Sequence, residues 1–250
     1  MILIFYCFIN PAYATIERKN IVGLWLFDEG EGKRVKDSSL NGNHADFLGD
    51  PKWVKGKLDF GLEFDGADDY IAAPDSDSLD ITDKITIVAW IKGDAWPAAN
   101  HVVRKIADAA QDSVYILRIQ PDTMKIYLNT KNAPDKRFGY QFAGATSLKT
   151  GTWYHVGMVY NGKEIKAYLN GKEDGSLAAT GEIVVSKGEL RIGRGDPAGY
   201  FDGVIDEVGI FNTALTEGEI KELMEKGLRG FAALEPGSKL TTTWADVKLR

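Results

Sequence analysis

Phe201-Asp202-Gly203-Val204-Ile205-Asp206-Glu207-Val208-Gly209-Ile210-Phe211 reads as a late β-strand with a carboxylate in an apolar row. Strict alternation puts Val204, Asp206, Val208 and Ile210 on one face, and Ile205, Glu207, Gly209 and Phe211 on the other. A buried carboxylate without partners costs on the order of several kcal/mol, so Asp206 calls for backbone donors or a bound cation. What surrounds it decides between enzyme, binding module and scaffold.

Outward from this stretch the chain is strands and tight turns. Phe64-Asp65-Gly66 repeats the opening Phe-Asp-Gly, and both copies read as chain reversals. Ile21 to Phe27 and Ile85 to Lys92 are β-branched and aromatic runs that end in acid and glycine. Val114 to Ile119 and Met124 to Asn129 flank a Pro121-Asp122 turn, and Phe138 to Phe142 follows a polar segment. Trp153 to Tyr160 and Glu164 to Leu169 flank Asn161-Gly162, with Asn170-Gly171 beyond, which demands antiparallel hairpins. Asp94 to Gln111 has no clear period. Thr216 with Glu219 forms a capping box for one helix, whose Ile220, Leu223 and Met224 form an apolar stripe ending near Gly227. The fold class is all-β and antiparallel.

At 250 residues and 44% hydrophobic content the chain holds enough apolar surface for one sandwich. Its net charge of −6, with the signs mixed and no basic block, argues against nucleic acid as a partner. Residues 1–14 (MILIFYCFINPAYA) are uncharged, apolar and end in Ala12-Tyr13-Ala14, the pattern of a secretory signal too short to span a bilayer, the alternative being a buried first strand. The mature chain then has no membrane span and is secreted or displayed at the cell surface. Cys7, the single cysteine, lies in this segment, so disulfides, thiolate zinc and a cysteine nucleophile are excluded. Residues 21–230 form one domain, and Glu235-Pro236-Gly237-Ser238 opens a tail within 231–250, where Thr241 to Leu249 is one more candidate strand.

The order of motifs carries a resemblance. Leu24-Trp25-Leu26-Phe27-Asp28-Glu29-Gly30, Asp37-Ser38-Ser39 to Asn43, Phe64-Asp65-Gly66 with Asp69-Tyr70-Ile71, and Thr86 to Trp90 come first. Trp153-Tyr154-His155-Val156, Leu169-Asn170-Gly171-Lys172, Ile192-Gly193, and Gly203 to Phe211 with Ala214-Leu215-Thr216 follow. Together they resemble the laminin-G-like domain of the concanavalin A-like lectin/glucanase superfamily over most of the chain. Each motif alone is only a strand or a turn. The resemblance implies a jelly-roll sandwich of two antiparallel sheets, pairing of the first and last strands, often one calcium ion near their meeting, and glycan or extracellular protein as partner.

Calcium takes six to eight oxygens, and the polar loop Asp37 to His44 carries such groups, which also serve to cap turns. If the first and last strands pair, Asp28, Asn41 and Asn43 approach Asp206, and these four are the candidate ligands of a structural Ca2+ ion. In the metal-free alternative, Asp206 accepts backbone amides of the Asn41 to Asn43 loop and pins it. Catalysis finds little support. The superfamily's glucanases carry Glu-x-Asp-x-x-Glu, whereas Val204 and Gly209 stand at the two glutamate positions around Asp206. Asp202 and Asp206 lie roughly 13 Å apart along a strand, beyond the about 5–5.5 Å of a retaining pair. His44, His101 and His155 accompany no nucleophile motif. Trp25, Trp90 and Trp153 belong to the core, while Trp96, beside Pro97 in a loop, is the candidate sugar-stacking residue, followed by Tyr140 and Tyr200. Arg104, Lys105, Arg191 and Arg194 suit acidic glycans or a solvated surface. The expected function is a non-catalytic binding module. The alternatives are a structural, protein-contacting domain of a larger assembly and, last, a glycosidase-related enzyme.

Overall fold

The computed structural model describes residues 16–96, 99–107, 113–135, 139–195 and 199–232. The signal-sequence reading and the strand expected at Thr241 to Leu249 lie outside them. Among the described residues sixteen strands follow in chain order. The first eight are β1 (Ile21–Trp25), β2 (Arg34–Val35), β3 (Ala45–Leu48), β4 (Lys52–Lys55), β5 (Phe60–Asp65), β6 (Tyr70–Ala73), β7 (Ile85–Gly93) and β8 (Asn100–Ile106). Then come β9 (Ser113–Ile119), β10 (Met124–Leu128), β11 (Tyr140–Ala143), β12 (Tyr154–Tyr160), β13 (Glu164–Leu169), β14 (Lys172–Ala178), β15 (Leu190–Ile192) and β16 (Asp202–Phe211), before helices α1 (Glu217–Lys226) and α2 (Arg229–Ala232).

The strands form two antiparallel eight-stranded sheets. The first runs β14-β13-β12-β7-β16-β5-β4 with β1 also on β16, and the second runs β11-β10-β9-β8-β15-β6-β3-β2. The first and last strands do pair, with Ile21 opposite Phe211 and Trp25 opposite Val208. Alternating apolar side chains from both sheets fill the space between them, including Trp25, Leu62, Ile87, Ile91, Leu117, Ile126, Ile192 and Ile205. Behind the first sheet a smaller cluster joins Leu24, Val88, Tyr168 and Phe211 to Ile220 and Leu223 of α1. The expected capping box between Thr216 and Glu219 starts that helix.

Strand β16 departs from simple alternation. Asp206 faces Trp90 and Gly209 faces Val88 on β7, so two residues, Glu207 and Val208, stand against one. This is a β-bulge, with Glu207 in the left-handed region at φ 47. The bulge inverts the parity of everything after it. Ile205, Val208 and Ile210 therefore share the inner core, and the single face expected for Val204, Asp206, Val208 and Ile210 does not exist. Along one edge β16 pairs first with β5, from Asp202 to Ile205, and then with β1, from Val208 to Phe211. The bulge fills the gap where one neighbour gives way to the other. The two Phe-Asp-Gly copies also differ: the turn at Gly66 is a reversal, whereas Gly203 lies within β16 and pairs with Phe64.

Candidate functional site

Asp206 is wholly buried on the outer side of the first sheet. One carboxylate oxygen accepts the backbone amides of Lys57 and Leu58, each at 2.9 Å, at the tip of the β4–β5 hairpin. The other oxygen has no hydrogen-bond partner. Burial, partly offset by the Leu58 amide, pushes its carboxyl up to about 8, and the neighbouring Glu207 adds to the rise. Glu207 turns to the chain after α1, accepting the Leu228 amide at 2.9 Å, and burial pushes it up to about 7. The bulge thus anchors two separate segments through two adjacent acids.

The four residues expected around a calcium ion have separate hydrogen-bond and ion-pair partners. Asn41 donates to the carbonyls of Ile21 and Val22, and Asn43 donates to Val22 and Ser78, so these two do meet at the edge of β1. Asp28 pairs with Arg229 at 2.6 Å, and Asp206 holds the hairpin tip. The four side chains are thus held by different partners: two donate through their amide nitrogens, one is ion-paired and one accepts backbone amides. The brace of the Asn41 to Asn43 loop is Asp37, which accepts the amides of Leu24, Ser39 and Asn43 at 2.8–2.9 Å and the Ser39 hydroxyl at 2.7 Å. The expectation that Asp206 pins this loop gives way to Asp37, whose bond to the amide two residues on is the side-chain turn that Asp-Ser-Ser sequences favour. Among the described residues, Asp65, Asp68 and Asp69 bring carboxylate oxygens within 4.8 Å of one another. The amides of Ala67 and Asp68 satisfy Asp65, and that of Asp50 satisfies Asp69, which accounts for the turn.

Trp96 is half-buried. Its ring lies on Gly93, where a Cβ would meet it at 2.3 Å, and edge-on to Phe201; its indole N–H donates to the Leu148 carbonyl at 3.1 Å. That packing takes up much of the stacking face expected from its loop position. Trp25 and Trp90 are buried as expected, whereas Trp153 is half-buried beneath Lys92. Tyr140 is half-buried at the edge strand β11.

The outer face of the second sheet gathers the cationic residues. On β6, β15, β9 and β10 the inward residues are Ile71, Ile192, Leu117 and Ile126, so Tyr70, Arg191, Arg118 and Tyr127 point outward. Arg191 stands opposite Arg104 on β8, and Arg118 opposite His101. Arg194 lies over the rings of Tyr70 at 4.6 Å and Tyr200 at 5.2 Å, and Arg191 over Tyr70 at 5.6 Å. Arg118 lies 4.5 Å over Tyr127. His101 is buried among them; burial first, then Arg118 and Arg104, holds its imidazole down at about 3, so it stays neutral. Three of the four cations singled out in the sequence therefore share this face, and Lys105 instead turns to Asp75. Tyr70, Arg118 and Tyr127 escape sequence reasoning, because only the register shows that they join the group. The apolar residues of α1 sit on the other sheet.

A laminin-G family model, described as the concanavalin A-like lectin/glucanases superfamily, matches residues 65–221. No curated protein sequence matches the chain. Among solved structures, domain 4 of AbnA, a GH43 extracellular arabinanase from Geobacillus stearothermophilus in complex with arabinotriose, is similar with a TM-score of 0.66 at 18% identity, covering 82% of this chain and 98% of that one. The binding domain of Paraclostridial Mosquitocidal Protein 1 gives 0.66 at 14% identity, with 84% and 53% covered. The botulinum neurotoxin serotype G binding domain gives 0.65 at 13% identity, with 83% and 51% covered. The chain thus spans about half the length of these two toxin domains. At such identities the likeness is one of fold.

Proposed function

Because the chain belongs to the concanavalin A-like lectin/glucanases superfamily, we propose that it is a non-catalytic, extracellular binding module that takes a glycan bearing acidic groups on the outer face of its second sheet. The observation that carries this reading is the packing of Arg191 and Arg194 against Tyr70 and Tyr200. Guanidinium groups fixed on aromatic faces are pre-organised to meet carboxylate or sulfate. The arabinotriose held by the arabinanase domain supports a sugar ligand.

The non-catalytic reading rests on where the acids are. Asp206 and Glu207 are buried behind the first sheet, each bonded to backbone amides. Among the described residues of the arginine face, Asp46 pairs with Arg34 and Glu189 with Arg191. This reading does not call on calcium: Asp28, Asn41, Asn43 and Asp206 each have their own protein partners.

A glycan array followed by calorimetry tests the proposal. Sialylated, uronic or sulfated glycans bind the parent, and Arg194→Ala weakens that binding at least about tenfold. An Arg194→Ala chain that binds acidic glycans as well as the parent overturns it. So does a parent that binds none of them and co-purifies with a protein partner.

A further inference from the structure

A second site lies on the opposite sheet. The turn after β1, the β4–β5 hairpin and the start of α2 converge on an open pocket of about 600 Å³, lined by Asp28, Lys55, Lys57, Asp59, Phe60 and Arg229. The guanidinium of Arg229 is fixed between two carboxylates, Asp28 at 2.6 Å and Asp59 at 2.9 Å. Beside this triad the Phe60 ring is 46% exposed, a large apolar face left to solvent where the fold buries most others.

The pocket's walls are held from beneath. Asp206 accepts the amides of Lys57 and Leu58, which sets the hairpin tip, and Glu207 accepts the amide of Leu228, which sets the residue before Arg229. Gly56 packs so closely here that a Cβ would meet the Phe60 carbonyl at 2.2 Å and the Asp206 carboxylate at 2.6 Å. Trp53 donates its indole N–H to Gly32, tying the hairpin to the turn after β1. The acidic, basic and aromatic groups are therefore carried on three braced segments.

We infer that this pocket binds an uncharged sugar residue. A sugar ring has one face of C–H groups and a rim of hydroxyls. Phe60 offers the flat apolar surface for the first, and the Asp28–Arg229–Asp59 triad offers fixed acceptors and donors for the second. The lining sets three cations, Lys55, Lys57 and Arg229, against two carboxylates, Asp28 and Asp59, with Arg229 paired to both acids and Lys57 turned over the Trp90 ring, so no large net charge is left there, which favours a neutral ligand over an acidic one. This site differs from the arginine face in location and chemistry, so the chain holds two glycan sites of opposite preference.

The test titrates the full chain with neutral oligosaccharides of arabinose, xylose, glucose, galactose and mannose, followed by NMR shifts and calorimetry. At least one series binds at concentrations up to about 10 mM. Phe60→Ala weakens it at least about tenfold, Phe60→Trp retains it, and Asp59→Asn, which suits the left-handed backbone at φ 51, weakens it by removing a charge from the triad. Acidic-glycan binding stays unchanged in all three, and Arg194→Ala leaves the neutral sugar bound. The inference is overturned if no neutral series binds at that concentration, or if Phe60→Ala binds as well as the parent. Loss of acidic binding alone strikes the arginine face and leaves this site standing.

Discussion

Replacing Asp206 by asparagine is expected to abolish much of the loss of stability that this protein undergoes as the pH rises towards 8. The sign follows from the two states of the carboxyl. It ionises at its ordinary value of 3.8 in the unfolded chain, but burial pushes it up to about 8 in the folded one. The fold therefore prefers the protonated acid, so its stabilising effect is complete below about pH 4 and is lost as pH climbs through about 8. The interval covers about four decades of proton affinity at about 1.4 kcal/mol each, an upper bound of about 6 kcal/mol. Glu207 stands next to it, rises from 4.5 to about 7 for the same first reason, and titrates together with it, so the two contributions do not add. A loss on the order of 3 kcal/mol between about pH 5 and pH 8 is the working figure. Asparagine keeps a carbonyl for the Lys57 and Leu58 amides and has no charge to bury. Urea denaturation followed by tryptophan fluorescence, at pH steps from about 5 to about 9, compares the parent with Asp206→Asn and with the Asp206→Asn/Glu207→Gln pair. The variant-minus-parent difference should move in the variant's favour as pH rises, and further for the pair. A difference that stays constant across the range would refute the assignment of this pH dependence to the bulge.

Asp37→Ala should destabilise the protein by about 3–5 kcal/mol in the same urea assay, because it strips acceptors from the amides of Leu24, Ser39 and Asn43 at once. Since that loop is braced by a side chain, its contribution to the melting temperature should be the same in calcium and in excess chelator; a rise of several degrees in calcium would return the metal to the loop.

How much could be read without coordinates varies from residue to residue. The long strands, the Asn-Gly hairpins and the Thr216 cap announce themselves, since each depends on neighbours a few positions away. Strands β3 and β4 are only four residues each and half of their residues are exposed, so Ala45–Leu48 and Lys52–Lys55 are too short to show a clear period. Strand β8 reads Asn-His-Val-Val-Arg-Lys-Ile, and its buried polar groups hide a wholly buried strand. The bulge is hidden because Glu207 adopts a positive φ without being glycine, so the run keeps an unbroken alternation on paper. The partners of Asp206 lie 148 and 149 residues away, beyond any local rule. Asp37, in contrast, carries its clue in the two serines that follow it.

The pairing of β1 with the end of β16 has a mechanical consequence. Ile21 lies opposite Phe211, and the Asn212 amide donates to Asn20, so the chain enters and leaves the sandwich at the same end of one ladder. Once α1 is lifted off, tension between those two points opens the ladder bond by bond from its end, as in unzipping, instead of shearing all of its bonds together. Single-molecule pulling from those points should record a low first rupture force, and a high one would mean that the helix or the loop braced by Asp37 carries the load. In a tether, the module would yield early and let out chain while the rest of the sandwich still held.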